Sequence, residues 1–383
     1  MATEDSIKKV WAWRVFGVET FMDLSSGIFL LQSGHVEMDL FPGSLPSPFW
    51  SSHTPGQKLT WNQIVRTLQK LRKNPPSMAV VNYREEAFFR TGTGWASGIG
   101  FATRAAFFRP SRLGELLFFA FLTRNNIPIA LLNRSDVGEI PAGSDWYYRR
   151  CHACFVRELN PQPEMSLKNL FSLSGGNPQS NRRARRILGL FDPSCPIGRV
   201  TNKLHPISLG TPDESIHEIP HGQPKEWDLF FAGDLHEKGL RGRLLEEVKN
   251  WAGRTGAKIL LRDRLPRSEY LRCMATSRLA LSPPGMGWDC WRHYEAKMAG
   301  SVPLMPYPTI LQHRPGIDGE HCFYFAPEPG GLTRCLEKAL AVPESLPAMA
   351  AAGRQLVLEH HLFSKLRDYV IHETIKAFSR RPN

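Results

Sequence analysis

The sequence predicts an α/β protein of two domains. Three observations carry this prediction: strand-like apolar runs alternate with segments of helical spacing, the chain has 383 residues, and the Pro-, Gly- and Ser-rich stretch 193–226 lacks periodicity. A chain of this length is too long for one ordinary core and fits two. We expect an N-terminal domain at 1–205, a second domain at 206–360, and a C-terminal helix at 361–383 that packs back on the N-terminal domain.

In the N-terminal half, helix-like and strand-like segments alternate. Thr60-Trp-Asn-Gln63 has the form of a capping box, and apolar residues then recur at helical spacing as far as Leu71. Strand-like runs lie at 78–81, 127–132 and 152–156. The apolar stretch 113–122 is too short to span a bilayer, which takes about 20 residues, so we expect a buried helix there.

The second half repeats this alternation. Strands are expected at 227–233, 258–262, 279–281 and 302–305, with helices at 239–252, 268–276 and in the segment after Cys290. The end of the chain, 332–378, has helical spacing, with breaks expected near Pro343, Pro347 and Gly353. Alternation of this kind is typical of parallel sheets.

The composition is that of a globular protein, with 42% hydrophobic and 22% charged residues. The N-terminus is polar, and the seven cysteines are scattered, which predicts a cytoplasmic protein with reduced thiols and no transmembrane segment. Cys151-His-Ala-Cys154 has the spacing of a metal or redox pair. No second pair completes a zinc site, so we interpret the segment as the start of a strand and expect no bound metal.

The positive charge is uneven along the chain. The net charge is +12, and residues 1–205 hold 25 Lys and Arg against 15 Asp and Glu, whereas residues 206–383 hold 23 against 21. The excess is explained by a solubilising surface or by a site for an anionic partner. For such a partner we expect contacts from six arginines: Arg149, Arg150, Arg182, Arg183, Arg185 and Arg186.

Two strand ends in the second half carry arginines. The run 227–233 ends at Gly233, and Lys238, Arg241 and Arg243 surround the start of the next helix. A helix N-terminus with guanidinium groups is suited to bind a diphosphate, although solvated charges at a turn give the same pattern. One strand further along the chain, Leu261-Arg-Asp-Arg264 places Arg262 and Arg264 in a loop, where surface charge is the alternative.

The segment 279–305 is the most informative part of the chain, with a strand, a Pro/Gly loop, a helix and a second strand. Gly285 and Gly287 allow close backbone approach to a ligand, and Trp288 is suited either to stack on a base or sugar or to pack in the core. Arg292 and Glu295 share a helix face, so they are either a phosphate ligand and a sugar-hydroxyl acceptor or a salt bridge. Loops beyond strand ends are where open α/β sheets bind ligands.

These residues resemble a known family. The pattern Ser282-Pro-x-Gly-x-Gly-x-x-Cys-x-Arg-x-x-Glu-Ala, the strand Asp228-Leu-Phe-Phe-Ala-Gly233 followed by Arg241, and the tail Pro315-Gly-Ile-Asp-Gly-Glu-His-Cys-Phe resemble exostosin-like glycosyltransferases of the GT-B architecture. The resemblance covers about residues 226–366. This sequence departs from the family pattern at Cys290, where such sequences usually have serine. Cysteine in place of serine removes a good hydrogen-bond donor.

The resemblance implies a fold and a reaction. Two Rossmann-like domains would face each other across a cleft, the second domain would bind a nucleotide sugar and the first the acceptor. The donor site would comprise Gly233, Lys238, Arg241, Arg243, Arg262, Arg264, Ser282, Gly285, Gly287, Trp288, Arg292 and Glu295. No cofactor would be bound permanently and no metal would be needed. A UDP-sugar is the first expectation for the co-substrate.

An inverting reaction needs a general base near the acceptor hydroxyl. We expect it at a strand end of the N-terminal domain, with Asp136 as first choice, Glu139 as second and His53 as third. The basic half predicts an anionic acceptor: an acidic polysaccharide, a lipid-linked glycan or DNA. The alternatives left open are a DNA glycosyltransferase that acts on a hydroxymethylated base and a non-catalytic nucleotide- or nucleic-acid-binding module.

Overall fold

The structure is a computed structural model of the whole chain, and it divides into two compact units, 1–207 with 367–383 and 208–366. We call these unit 1 and unit 2. Unit 2 is described almost completely, and unit 1 in part. The described residues are 9–14, 37–40, 61–73, 75–83, 117, 119–133, 148, 150–166, 201–285 and 287–380.

In the described part of unit 1, six strands form one parallel sheet in the order β2-β1-β3-β4-β5-β6. The strands β4 and β5 are buried throughout, as expected for a sheet that is covered on both faces. The bounds are β1 Lys9–Arg14, β2 Glu37–Leu40, β3 Met78–Tyr83, β4 Ile129–Asn133, β5 Ala153–Val156 and β6 Leu204–Pro206.

Helices of unit 1 precede or follow these strands. The helix α1 (Trp61–Lys73) leads to β3 and buries Leu71, whereas Val65, at the same helical spacing, is 50% exposed. Residues 119–124 are helical, so the helix expected at 113–122 lies partly in the described residues. It buries Phe119 and Leu122, whereas Leu117 is 39% exposed. A short helix, α2, follows β5 at Pro163–Ser166.

In unit 2, five strands form a second parallel sheet in the order β11-β10-β9-β7-β8. The chain therefore builds outward from β7 first to one side, to β8, and then to the other, to β9, β10 and β11. This change of direction places a topological switch point between β7 and β9. The bounds are β7 Trp227–Ala232, β8 Ile259–Arg262, β9 Ser277–Leu281, β10 Val302–Pro306 and β11 Phe323–Phe325.

The helices of unit 2 cover both faces of this sheet. Leu229 and Phe231 belong to the cluster that packs under α4 and α7, while the ring of Phe230 lies 5.8 Å from that of Tyr270 on α5. This alternation along β7 is that of a strand buried on both sides. The bounds are α3 Ser215–Glu218, α4 Leu240–Thr255, α5 Arg267–Ala275, α6 Trp291–Met298, α7 Gly331–Ala341 and α8 Leu346–His360.

The last helix, α9 (Phe363–Ser379), begins in unit 2 and belongs to unit 1 from Arg367 onward. Within unit 1 the Tyr369 ring meets the Phe155 ring edge-on at 5.4 Å, and the Tyr369 hydroxyl donates to the Pro206 carbonyl at 3.2 Å. The C-terminal part of the chain is therefore part of the core of unit 1.

The α/β class, two parallel Rossmann-like sheets and C-terminal helices were expected from the sequence, and they are confirmed. The prediction of a helix break near Gly353 was wrong, because α8 continues through this residue, which is buried. A Cβ at Gly353 would lie 2.9 Å from the His321 carbonyl oxygen, so glycine permits close packing there rather than ending the helix. Pro347 lies in the first turn of α8, where proline is tolerated, and the break near Pro343 is a 3₁₀ turn at Pro343–Ser345.

Candidate active site

The candidate site lies in unit 2 at the carboxyl ends of the neighbouring strands β7 and β9. Gly233 follows β7, and the loop 282–290 connects β9 to α6. These two loops flank the topological switch point, which is where open parallel sheets form their ligand crevice. The donor-site residues predicted from the sequence lie on these two loops, on the helices that follow them, and at the end of β8 and just after it.

Arg292, in the first turn of α6, is bonded only to main-chain carbonyls. Its guanidinium donates to the Pro283 carbonyl at 3.3 Å and to the Ala232 carbonyl at 3.5 Å, and it lies 5.0 Å from the centre of the Phe231 ring. Its buried Nε has no hydrogen-bond partner. Among the residues that the structure describes, no carboxylate pairs with Arg292, so its positive charge is free to attract an anion.

Arg241, the second residue of α4, reaches the same loop. Its Nη1 pairs with Glu237 Oε2 at 2.7 Å, and its Nη2 donates to the Pro284 carbonyl at 3.2 Å. Its Nε is also buried without a partner. Because Pro283 and Pro284 are consecutive, the two guanidinium groups are brought to adjacent carbonyls of one loop.

The backbone comes close to these guanidinium groups at Gly233. Its φ of +153° is one that side-chain-bearing residues rarely adopt, and a Cβ there would lie 3.1 Å from the Phe231 ring and 3.7 Å from Arg292 Nη2. On the other loop, the Gly285 N–H donates to the Gly287 carbonyl at 3.1 Å, and Gly285 is exposed. A side chain at position 233 would fill the room beside Arg292, whereas a Cβ at Gly285 would meet open space.

A buried hydrogen-bond chain fixes the loop. Ser282 Oγ lies 2.7 Å from His293 Nδ1, and His293 Nε2 lies 2.9 Å from the Trp288 carbonyl. Burial lowers the pKa of His293 to about 4, so its ring is neutral near pH 7. Nε2 therefore carries the proton and donates to Trp288, while Nδ1 accepts from the Ser282 hydroxyl. Ser282 is fully buried, so it orients the loop rather than facing a ligand.

Cys290, where the resemblance expects serine, precedes α6 and packs against this chain. Its Sγ lies 3.8 Å from Ser282 Oγ and 3.6 Å from His293 Nε2. Burial raises the pKa of the Cys290 thiol, so it is not a thiolate. Cys290 therefore lies beside a hydrogen-bond chain that is complete without it.

Trp288 is in the core rather than beside a ligand. It is 5% exposed, packs against Met305 and Cys322, and donates its Nε1 hydrogen to the Pro306 carbonyl at 3.3 Å. Of the two roles that the sequence left open, packing is the one that this geometry fits, because a buried indole has no free face for a base or sugar.

Glu295 is also buried, and it binds partners that the sequence did not indicate. Its Oε1 accepts from Arg267 Nη1 at 2.5 Å and its Oε2 from the Tyr270 hydroxyl at 2.9 Å. The salt bridge with Arg292, considered from the sequence, is thus replaced by one with Arg267. Burial, then the charge of Glu295, raise the pKa of Tyr270, so that hydroxyl keeps its proton. Each carboxylate oxygen retains a lone pair for a further hydroxyl.

The remaining predicted donor residues lie apart from the two buried arginines. Lys238 and Arg243 are exposed and line a cavity of about 700 Å³ between α4 and the loop before α7. Arg262 and Arg264 are exposed at the end of β8 and after it. The structure therefore brings Gly233, Arg241, Arg292 and the loop 282–287 together, with Met286 outside the described residues.

Several predicted residues lie outside the described residues: Asp136, Glu139, His53, Arg149, Arg182, Arg183, Arg185 and Arg186. Arg150 is described and is half-buried at a helical position. The strand β4 ends at Asn133, just before the segment that holds Asp136 and Glu139. None of the helices within the described ranges has the length and apolar character to cross a membrane.

Sequence reasoning missed the residue that fixes the start of α4. A Cβ on Gly242 would lie 2.0 Å from the Glu237 carbonyl oxygen, which a side chain cannot accommodate without moving the loop. This loop carries the Glu237 carboxylate that holds Arg241. The glycine itself was visible in the sequence, but its close contact depends on how the loop 233–239 folds.

Together, the fold and this site define an α/β protein with a guanidinium at the switch point of a parallel sheet that has no carboxylate partner among the described residues. Comparisons with known proteins assign no family: no family model matches the sequence, and no curated protein matches it. The exostosin resemblance therefore remains a prediction.

Several solved structures are similar over nearly the whole chain. The sucrose-phosphate synthase of Thermosynechococcus elongatus is 11% identical, with a TM-score of 0.49 and coverage of 98% of this chain and 100% of that one. A glycosyltransferase of Rickettsia africae is 10% identical, with a TM-score of 0.47 and coverage of 97% and 99%. A putative UDP-N-acetylglucosamine 2-epimerase of Listeria monocytogenes is 10% identical, with a TM-score of 0.44 and coverage of 98% of both chains.

Proposed function

We propose that this protein is a glycosyltransferase that takes its donor as a nucleotide sugar and binds the donor in unit 2. The observation that carries the proposal is the position of Arg292. A guanidinium bonded only to carbonyls, without a carboxylate partner in the described residues, lies at the switch point beside Gly233. A nucleoside diphosphate presents the dianionic, multi-oxygen group that such a guanidinium binds best.

In the proposed site Arg241 and Arg292 hold the diphosphate from two sides of the loop 282–287. As the bond between the anomeric carbon and the diphosphate breaks, negative charge grows on the leaving oxygen. Positive groups already in place stabilise that charge more than they stabilise the intact donor, which is how they accelerate the reaction. The two arginines supply this stabilisation without a metal ion, and we propose a metal-independent reaction.

The other donor contacts follow from the same arrangement. The Gly285–Gly287 turn would lie against the sugar, and Glu295, held by Arg267 and Tyr270, would accept from a ribose or sugar hydroxyl. The exposed Lys238, Arg243, Arg262 and Arg264 would attract the donor at longer range rather than clamp it. Trp288 is left out of the site because its ring packs against Met305 and Cys322 and its Nε1 hydrogen is already donated to the Pro306 carbonyl.

The acceptor would be anionic and would bind to the N-terminal half, which holds most of the chain's excess positive charge. Transfer then consists of attack of an acceptor hydroxyl oxygen on the anomeric carbon, with loss of the nucleoside diphosphate. The hydroxyl proton would pass to a carboxylate, for which we propose Asp136, with Glu139 as the second choice.

A calorimetric panel tests the proposal. The full chain would be titrated with UDP, GDP, ADP, CDP and TDP, with and without EDTA. We expect one diphosphate to bind with micromolar affinity, about −8 kcal/mol, and EDTA to change nothing. The matching sugar donor should then be hydrolysed slowly. Binding of one diphosphate without hydrolysis or transfer would support the non-catalytic alternative, and failure of all five to bind would overturn the donor site.

The catalytic base is tested by Asp136→Ala. We expect transfer to fall at least about 100-fold, because the acceptor hydroxyl loses its proton acceptor, while the affinity for the diphosphate stays within twofold. Steady-state turnover and calorimetry on the same preparation separate the two effects. Asp145→Ala, from the same stretch of sequence, is the matched control. If Asp136→Ala transfers sugar at the native rate, Glu139→Ala is the next variant, and Asp136 has no role in the reaction.

A further inference from the structure

The Cys-X-X-Cys motif of unit 1 brings two thiols into direct contact. Cys151 precedes β5 and Cys154 lies within it, and their Sγ atoms are 3.2 Å apart. Both residues are buried, with exposed fractions of 0% and 1%. The proposed function does not use this pair, since it lies in the other unit from the donor site.

The thiols form a directed hydrogen-bond chain. Cys151 Sγ donates its single hydrogen to the Tyr148 carbonyl at 3.2 Å. Cys151 is therefore the acceptor in its contact with Cys154, whose S–H must point at it. Burial, followed by this hydrogen bond, raises the pKa of Cys154. Lys203 Nζ donates to the Tyr148 and Cys151 carbonyls and so fixes the turn that carries the pair.

The alternatives for such a motif have less support. A structural zinc site needs four ligands, and within the described residues no group of three His, Cys, Asp or Glu side chains is arranged to hold a metal. Of the other described cysteines, Cys273, Cys290, Cys322 and Cys335, none is hydrogen-bonded to another described thiol. The sulfur–sulfur contact thus sets Cys151 and Cys154 apart from the other described thiols.

We propose that Cys151 and Cys154 are a redox-active dithiol that forms an intrachain disulfide by exchange with small-molecule disulfides. One thiolate attacks a sulfur of the oxidised small molecule, forms a mixed disulfide and releases one thiolate of that molecule. The second cysteine thiolate then attacks the protein sulfur and releases the other. The pair loses two protons and two electrons, and the small molecule is reduced to two thiols.

The contact geometry makes the second step favourable and burial makes the first slow. The attacking and attacked sulfurs are already neighbours, so the fold raises their effective concentration. Because neither thiol is exposed, reaction with a bulky disulfide needs local opening of the structure around Cys151 and Cys154. We therefore expect oxidation over hours rather than seconds at neutral pH.

The test equilibrates the full chain with oxidised and reduced glutathione at graded ratios, blocks free thiols with iodoacetamide after acid quenching, and identifies peptides by mass spectrometry. The peptide that holds both cysteines should lose two hydrogens and carry no alkyl group. In the folded chain, we expect half of the pair to be oxidised at a ratio of oxidised to reduced glutathione at least about 10-fold lower than in the chain unfolded in urea. The reason is that the fold holds the two sulfurs together. Cys335→Ser, which removes another buried thiol, should behave like the native chain.

Two results would overturn the proposal. One is a native pair that stays reduced, and is therefore alkylated, at glutathione ratios that already oxidise the chain in urea. That result would mean that the fold protects the reduced form. The other is a Cys154→Ala variant in which Cys151 forms a disulfide with a different cysteine of the chain, since Cys154 would then not be its specific partner. Cys154→Ala should instead give a glutathione adduct on Cys151. The first measurement uses only the native chain, so it stands even if the variant fails to fold.

Discussion

Arg292→Gln should weaken binding of the nucleoside diphosphate by about 10- to 100-fold, because a hydrogen bond to a charged group is worth about 1.5–3 kcal/mol and 1.4 kcal/mol is tenfold. Turnover should fall further, by about 100- to 1000-fold, since charge on the leaving diphosphate is greatest in the transition state. Glutamine keeps part of the side chain's length and can still donate to the Pro283 carbonyl. The variant therefore removes the charge more than the packing.

The measurement pairs calorimetry with steady-state kinetics, and the control is Arg278→Gln. Arg278 lies near the amino end of β9 and pairs with Asp228. It has the same charge as Arg292, but it lies at the end of β9 opposite to the loop 282–290 that leads to Arg292. We expect its affinity and turnover to match those of the native protein. A native affinity in Arg292→Gln would remove Arg292 from the donor site.

A structural role for Arg292 would look different. The side chain bonds to carbonyls of both site loops, so its loss alone could loosen them. In that case the thermal unfolding temperature of Arg292→Gln would fall. Arg292→Lys, which keeps the charge but not the planar guanidinium, would then bind the diphosphate no better than Arg292→Gln. If the charge attracts the diphosphate, lysine should recover part of the affinity.

The placement of the site residues at strand ends could be predicted from the sequence because it depends on patterns among residues that are close together in the chain. An apolar strand, a Pro/Gly loop and a helical stretch follow one another within 279–305, and they place Ser282 to Arg292 at a strand end whatever the rest of the chain does. Arg241 was found in the same way, at a helix start just after a strand. Such patterns need no knowledge of long-range contacts.

The partners of Glu295 and the burial of Trp288 could not be predicted in this way. Arg267 and Tyr270 lie on α5, more than twenty residues before Glu295, and only the packing of α5 beside α6 brings them together. Trp288 is covered by Met305 and Cys322. Cys322 precedes β11, a strand of three residues that is too short to give a periodic signal.

Acidification should destabilise unit 2, and His293 should account for much of the loss. Its folded-state pKa is about 4, below the ordinary value of 6.5, because burial and the nearby Lys297 and Arg292 outweigh the attraction of Asp289. Above pH 6.5 both folded and unfolded chains hold a neutral ring. As the pH falls from 6.5 towards 4, the unfolded chain binds the proton first, so stability is lost. By about pH 5 the loss from this one group is about 2 kcal/mol.

Urea unfolding at about pH 8 and about pH 5 measures this loss as the difference between two free energies of unfolding. His361, whose pKa burial also lowers, adds a loss of the same sign. The variant His293→Gln should be less stable at both pH values, since it disturbs the bonds to Ser282 and Trp288, but its difference between them should shrink by about 2 kcal/mol. His221→Gln, an exposed position, should keep the native difference. An unchanged difference in His293→Gln would mean that this ring is protonated equally in the folded and unfolded chains. At about pH 5 the hydrogen-bond chain that orders the loop beside Arg292 would then hold a charged imidazole, which can donate to both the Trp288 carbonyl and the Ser282 hydroxyl oxygen.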